Sequence, residues 1–192
     1  MSLDEFIDTS ASGTFQGRFY DGALLTPVEL ANHVPPDFDG WVSDEIKQLE
    51  RKGCIAKWSQ VADTTRFPRP RMCLLLGVEP AKPRLFWDGR WLNLMCRHSP
   101  FQMDGVGKVA QCSWYGAHQV TLDHKSGFHN VPLHPDSWSC FGFCWKGTYY
   151  VWTVLCFGWW SSPYIYHSLS DAIAQYIRSQ DIPILTLSLI HI

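Results

Sequence analysis

The sequence contains no apolar run close to the roughly 20 residues a helix needs to cross a bilayer, so no membrane span is expected. The stretch Trp152–Trp160 is short and broken by Gly158, which marks it as core. The chain also lacks an excess of positive charge. Its net charge of −2 excludes a global basic field that would draw the whole molecule onto a polyanion. Internal repeats and low-complexity tracts are missing too. The 7 cysteines are odd in number and scattered from Cys54 to Cys156, so no disulfide framework is legible. The polar, acidic N-terminus has no signal-peptide pattern. Reduced thiols and an intracellular protein are the corresponding expectation.

What the sequence does hold is aromatic side chains. It has 10 Trp, 11 Phe and 7 Tyr within 46% hydrophobic residues, enough for one sizeable core or for one domain and part of another. Positive charge is concentrated locally in Lys57, Arg66, Arg69, Arg71, Lys82, Arg84, Arg90 and Arg97. That stretch can serve as a solvated face or as a nucleic-acid surface. Cys140 and Cys144, with His129 and His134 nearby, allow a small zinc-binding module. Cys-x3-Cys among evenly spread histidines is nonetheless a poor ligand pattern.

Residues 1–42 carry Gly, Ser, Pro and Asp without a sustained period and read as a lead-in or linker. Ser43 is placed to cap a helix over 43–52, with Ile46 and Leu49 as its apolar edge and Gly53 as its stop. Met72–Val78 and Arg84–Asp88 read as two antiparallel strands, and Val120–Asp123 as a further strand. Cys140–Trp145 and Tyr149–Leu155 predict a hairpin about Lys146-Gly147-Thr148. Ser162 and Pro163 predict the start of a helix that runs to Arg178. Ile165, Leu169, Ile173 and Ile177, with Ala172 and Tyr176 beside them, would form its buried stripe.

The chemistry is concentrated in Val120-Thr121-Leu122-Asp123-His124-Lys125-Ser126-Gly127-Phe128-His129. A carboxylate follows an apolar run, a glycine turns the backbone, and an aromatic ring stands five positions after the acid. A fixed carboxylate of this kind suits Mg²⁺, which takes hard oxygen ligands. Two-metal nucleotidyl transfer needs more than one such carboxylate to clamp the attacking and leaving oxygens.

This string resembles the first palm motif of the reverse transcriptases of gypsy-like and DIRS-like retrotransposons. Leu155-Cys156-Phe157-Gly158-Trp159-Trp160-Ser161-Ser162-Pro163 resembles that family's nucleotide-site loop, with Cys156 in place of its usual proline. Arg84-Leu85-Phe86-Trp87-Asp88-Gly89-Arg90-Trp91-Leu92-Asn93 resembles its fingers segment. The resemblance implies an α+β fold, the fingers and partial palm of a right-hand polymerase, with an antiparallel sheet packed on helices. It implies a fingers-like region over 43–119 and a partial palm over 120–186. Asp123 would be the catalytic metal ligand, with the backbone carbonyl of His124 beside it. Arg84 would reach the triphosphate, Phe128 would gate the sugar, and Phe157 and Gly158 would line the nucleotide. Asp88, Arg90 and Asn93 would be structural or template-side.

The implied cofactor is Mg²⁺ or Mn²⁺, and the implied partners are an RNA or DNA template-primer and dNTPs. The family's Tyr-x-Asp-Asp hairpin does not follow Thr186. The remaining palm, the thumb and an RNase H region would also lie beyond this sequence. Residues 187–192 match the translation of a transposase end sequence used to tag sequencing libraries, and are expected to be a non-native tail. Alone, the chain is expected to be inactive. The alternatives are a non-catalytic nucleic-acid-binding remnant using the 57–97 stretch, and the zinc module.

Overall fold

Alternating aromatic and β-branched residues around a Lys-Gly pair build the central hairpin. Lys146 and Gly147 both take positive φ, 47° and 77°, as a two-residue turn matched to the strand twist requires. In the computed structural model, which describes residues 28–96, 102, 104, 107–112, 115, 116, 118 and 120–185, this hairpin joins two strands of a five-stranded sheet. The first 27 residues, Arg97 and the tail at 187–192 lie outside the described residues. The chain divides into two units, Met1–His98 with Phe128–Ser162, and Ser99–Gly127 with Pro163–Ile192.

In the first unit the sheet runs β1 (Val28–Glu29), β3 (Met72–Cys73), β6 (Gly142–Trp145), β7 (Thr148–Trp152) and β2 (Ile55–Lys57) in spatial order. The expected antiparallel sheet is mixed. β6–β7 and β7–β2 are antiparallel, whereas β1–β3 and β3–β6 are parallel. Phe143 faces Tyr150 across the hairpin, with ring centroids 5.3 Å apart and planes 15° apart. Thr148 belongs to β7, opposite Trp145, rather than to the turn. Cys140 closes a 3₁₀ turn, Pro135–Cys140, and lies outside the strand expected to include it.

The apolar run Met72–Val78 is divided between two sheets. After β3 the chain leaves the large sheet and continues as β4 (Leu76–Glu79), which pairs antiparallel with β5 (Arg84–Trp87). Asn32 fixes the break by accepting from the Leu76 N–H at 3.0 Å and donating to the Cys144 carbonyl at 2.6 Å. Gly142 allows the close approach of β6 to β3, because a Cβ there would lie 2.4 Å from the Met72 carbonyl oxygen. The buried Trp87 donates to the Gly142 carbonyl at 3.1 Å.

Helix α1 spans Asp39–Arg51 and buries Val42, Ile46 and Leu49. It starts four residues earlier than the sequence suggests, and Ser43 is not its cap. The Ser43 hydroxyl donates to the Asp39 carbonyl at 2.7 Å and accepts from the Trp145 indole at 3.1 Å. Lys146 pairs with Asp39 at 2.9 Å, so the tip of the hairpin anchors the first turn. The C-terminus follows the local signal. Gly53, at φ 70°, donates to Glu50, and Cys54 donates to Leu49, which completes a Schellman motif. Ordered structure therefore begins inside the stretch read as a lead-in, with β1 at Val28 and a 3₁₀ turn at Pro36–Phe38.

Gly40 is exposed in the first turn of α1, and nothing lies within 4 Å of a Cβ added there. Gly40→Ala is expected to stabilise this unit by about 0.5–1 kcal/mol, read as a higher urea midpoint at unchanged slope. A lower midpoint would contradict the described environment. Two short helices complete the unit, α2 (Trp58–Val61) and α3 (Arg90–Met95).

The second unit holds α4 (Gly107–Cys112) and most of α5 (Ser161–Arg178). The expected strand at Val120–Asp123 is irregular, and Val120 and Leu122 are 84% and 74% exposed. A strand forms only where a neighbour takes up its backbone donors and acceptors, and this unit has no strand among its described residues. The stripe on α5 is likewise mostly uncovered. Ile165 is buried and Ile177 half-buried, but Leu169, Ile173 and Tyr176 are exposed, as is Ala172. Helical period determines which residues share a face, and a covering element is needed to bury that face.

Candidate functional site

The first unit assembles the resemblance-derived loop from backbone contacts. Gly158 adopts φ 103°, and a Cβ there would lie 2.0 Å from the Trp87 carbonyl oxygen. Only glycine fits such a position. Gly89 makes the reciprocal approach, since its added Cβ would meet the Gly158 carbonyl oxygen at 2.6 Å. Asn93 then clamps the loop at two points. Its amide donates to the Gly158 carbonyl at 2.8 Å, and its side-chain oxygen accepts from the Trp160 N–H at 3.1 Å. Trp159 is buried edge-on to Phe141, at 5.1 Å and 75°. The Ser162 hydroxyl donates to the Cys156 carbonyl at 2.8 Å, so it ties the loop to the start of α5 instead of accepting as a helix cap. Pro163 is the third helical residue.

This architecture leaves Phe157 outside, 54% exposed, with its ring against the 5% exposed Phe128 at 4.8 Å and 38°. Phe128 sits in a 3₁₀ turn, Gly127–Asn130. The ring expected to meet a sugar is therefore covered, and its neighbour in the loop presents the open face. His129 packs on the other side of Phe157, with centroids 6.2 Å apart and planes 74° apart.

Arg84 opens β5, is exposed, and forms no ion pair among the described residues. The other basic residues divide in two. Lys57, Arg69 and Arg90 pair with Glu50, Glu29 and Asp88, which offsets part of the local positive field. Arg66, Arg71 and Lys82 form no ion pair among the described residues. Asp88 and Arg90 act together as a lock on the turn into α3. Asp88 accepts from both the Arg90 guanidinium and its backbone N–H, and those hydrogen bonds hold its carboxyl below the usual carboxylate range.

Asp123 and His124 belong to the second unit. The Asp123 carboxylate is exposed and has no hydrogen bond or ion pair among the described residues. The His124 Nδ1 shares a hydrogen bond with the Tyr166 hydroxyl of α5, and the two rings lie edge to face at 6.0 Å. Burial, reinforced by the nearby Asp123 charge, pushes the Tyr166 phenol above its ordinary value. Gly127 is required here, because its added Cβ would lie 2.5 Å from that hydroxyl. An exposed carboxylate free of ion pairs has the chemistry a hard cation takes, so Asp123 is compatible with one ligand of Mg²⁺ or Mn²⁺. It is not a complete site. Among the described residues, no three His, Cys, Asp or Glu side chains converge as metal ligands.

The same observation counts against the zinc module. Cys140 is buried at the end of its turn, where burial pushes its thiol up to about 11 and opposes the thiolate that zinc requires. His134 accepts from the Asp136 N–H at 3.4 Å and sits as an N-terminal cap on its own turn.

No family model matches the sequence. Similarity to curated proteins is nevertheless measurable. The Pro-Pol polyprotein of Feline foamy virus is 23% identical over 142 residues, covering 74% of this chain and 12% of the relative. A putative enzymatic polyprotein of Cassava vein mosaic virus is 29% identical over 130 residues, covering 67% and 20%. The foamy viral protease–reverse transcriptase in complex with an RNA/DNA hybrid aligns with a TM-score of 0.63 at 21% identity, over 79% of this chain and 20% of that one. This chain shares its fold with part of that protein. The native Prototype Foamy Virus protease–reverse transcriptase gives 0.63 at 20% identity over 79% and 19%, and a foamy viral complex with double-stranded DNA gives 0.61. The α+β architecture expected from the resemblance is the architecture found. The chain spans a fifth or less of the curated relatives' length.

The residues missed by sequence reasoning are positioning ones. Asn93 was placed among structural or template-side residues, but its partner 65 positions away was not foreseeable. Tyr166 is a second such residue, and no local signal pairs it with His124, 42 positions away.

Proposed function

We propose that this chain is a segment of a retrotransposon reverse transcriptase, of gypsy-like or DIRS-like type, whose whole enzyme copies RNA into DNA by two-metal nucleotidyl transfer. What supports the reading is one observation above the rest. The polymerase-like fold spans most of the chain, and within it the ordered motifs retain an unpaired Asp123, an unpaired Arg84 and a glycine-dependent loop presenting Phe157. Asp123 would hold a divalent ion through its carboxylate, and such an ion would supply positive charge to offset a phosphate. Arg84 offers a guanidinium to the triphosphate. Phe157, backed by Phe128, forms the apolar floor under the sugar, and Gly158 lets the backbone approach the nucleotide. RNA or DNA template-primer and dNTPs are the substrates. One carboxylate cannot hold two metals against their hydration, so the 192-residue chain alone performs no extension.

The test is photo-crosslinking of labelled dTTP in Mg²⁺, with primer extension run alongside. The expected result is crosslinking within the Phe157 loop, about tenfold weaker in Arg84→Ala, as befits loss of a charge-assisted contact, and no extension product. Templated extension would overturn the inactivity. RNA binding that is unaffected by Asp123→Asn, without nucleotide crosslinking, would favour a non-catalytic remnant instead. In that case the exposed Phe67 and Phe86, next to the unpaired Arg66 and Arg84, would be its surface.

A further inference from the structure

His129 stands out because it is half-buried against the aromatic cluster and one of its ring nitrogens has no partner. Its ring lies over the Trp152 indole at 5.7 Å and 31°, and meets Phe157 at 6.2 Å and 74°. Phe157 in turn covers Phe128 at 4.8 Å. The His129 Nε2 is buried and has no hydrogen-bond partner. β7 presents Trp152 to the ring, and the loop presents Phe157. The one charge acting on it among the described residues is Lys52, just past the end of α1.

We propose that His129 is a positioning residue that, as a neutral imidazole, props Phe157 against Phe128, and that a proton gained there releases Phe157 and opens the aromatic floor. Calling that floor the nucleotide-facing surface rests on the proposed function. The prop itself does not.

The energetics set the direction. A second proton would place a donor, and a charge, where no acceptor exists, at about 1–3 kcal/mol. Attraction of an imidazolium to the indole face offsets about 0.5–1 kcal/mol of this. The balance therefore favours the neutral ring. Burial, and then the Lys52 charge, push the His129 pKa below its ordinary value. The linkage follows from that sign. The unfolded chain takes the proton first, so stability is fully present above about pH 6.5 and declines as pH falls from there through the folded value.

The experiment is an NMR titration of the full chain, following the His129 ring proton, Phe128–Phe157 ring NOEs and Trp152 fluorescence. A His129 midpoint below 6.5 is expected. The Phe128–Phe157 NOE should be strong at pH 8 and at least halved at a pH below that midpoint, with quenching of Trp152 in step. His129→Phe keeps a flat ring without a titrating group and should hold the NOE at both pH values. His129→Gln should lose it at both, and gives the second readout if the Phe variant misfolds. A midpoint at or above 6.5, an NOE that persists once His129 is charged, or a pH response that survives in His129→Phe would each overturn the proposal. Crosslinking of dTTP plays no part in these readouts, so its failure would strike the functional reading alone.

Discussion

Gly158→Ala is expected to cost the first unit about 3 kcal/mol. Two terms combine. A residue with a Cβ at φ 103° carries backbone strain of about 1–3 kcal/mol. The Cβ must also displace the Trp87 carbonyl, which lies 2.0 Å from where it would stand. Overpacking against backbone adds about 1–3 kcal/mol, because neither β5 nor the loop can yield as a flexible side chain would. Gly147 supplies the internal control. It also has positive φ, 77°, but open space around its Cβ, so Gly147→Ala carries strain alone, about 1–2 kcal/mol. Asn93→Ala removes two hydrogen bonds to the same loop and is expected to fall between them, at about 2 kcal/mol. Urea unfolding ranks the three. An equal cost for Gly158→Ala and Gly147→Ala would contradict the close approach of the loop to β5.

Features determined within a few residues were legible in the sequence. The turn at Lys146-Gly147, the end of α1 at Gly53 and the extent of α5 all depend on local backbone preference, and each falls where the residues indicated. Features that depend on distant partners were misplaced. Ser43 looked like a cap because no sequence rule says that Trp145, 102 residues on, would occupy its hydroxyl. Met72–Val78 looked like one strand because an apolar run does not reveal that Asn32 will divide it between two sheets. Val120–Asp123 has the composition of a strand and, among the described residues, lacks a neighbour to make it one. The candidate site shows the same division. Ordered motifs could nominate Asp123, Arg84, Phe157 and Gly158 as candidates, whereas the Asn93 hydrogen bonds and the packing of His129 on Trp152 and Phe157 exist only in three dimensions. Phe128 was readable as an aromatic ring, but its burial beneath Phe157 was not.

Asp123 carries the largest functional expectation. Its carboxylate is exposed and free of ion pairs among the described residues, so a divalent ion need displace no resident cation to reach it. Two other carboxylates of its unit, Asp104 and Asp171, are less available. Asp104 is held by Lys108 at 2.6 Å and by Arg178 at 3.7 Å, and Arg178 also pairs with Asp171 at 3.5 Å. These four residues line an open cleft of about 620 Å³ together with His167, but its acids are already neutralised. Selective metal contact at Asp123 is therefore the sharpest consequence of reading the Val120–His129 segment as a polymerase motif. Asp123→Asn keeps the shape of the side chain and removes its charge. It should abolish metal contact without moving the urea midpoint, because the carboxylate supports nothing else in the fold.

The direct measurement is Mn²⁺ titration of the isotopically labelled chain, followed by paramagnetic broadening of backbone amides. Broadening is predicted to be strongest at Asp123, His124 and Lys125, to be reversed by excess Mg²⁺, and to vanish from these amides in Asp123→Asn. Broadening centred on Asp104 and Asp171, or unchanged in Asp123→Asn, would contradict the assignment of Asp123 as the metal-binding carboxylate.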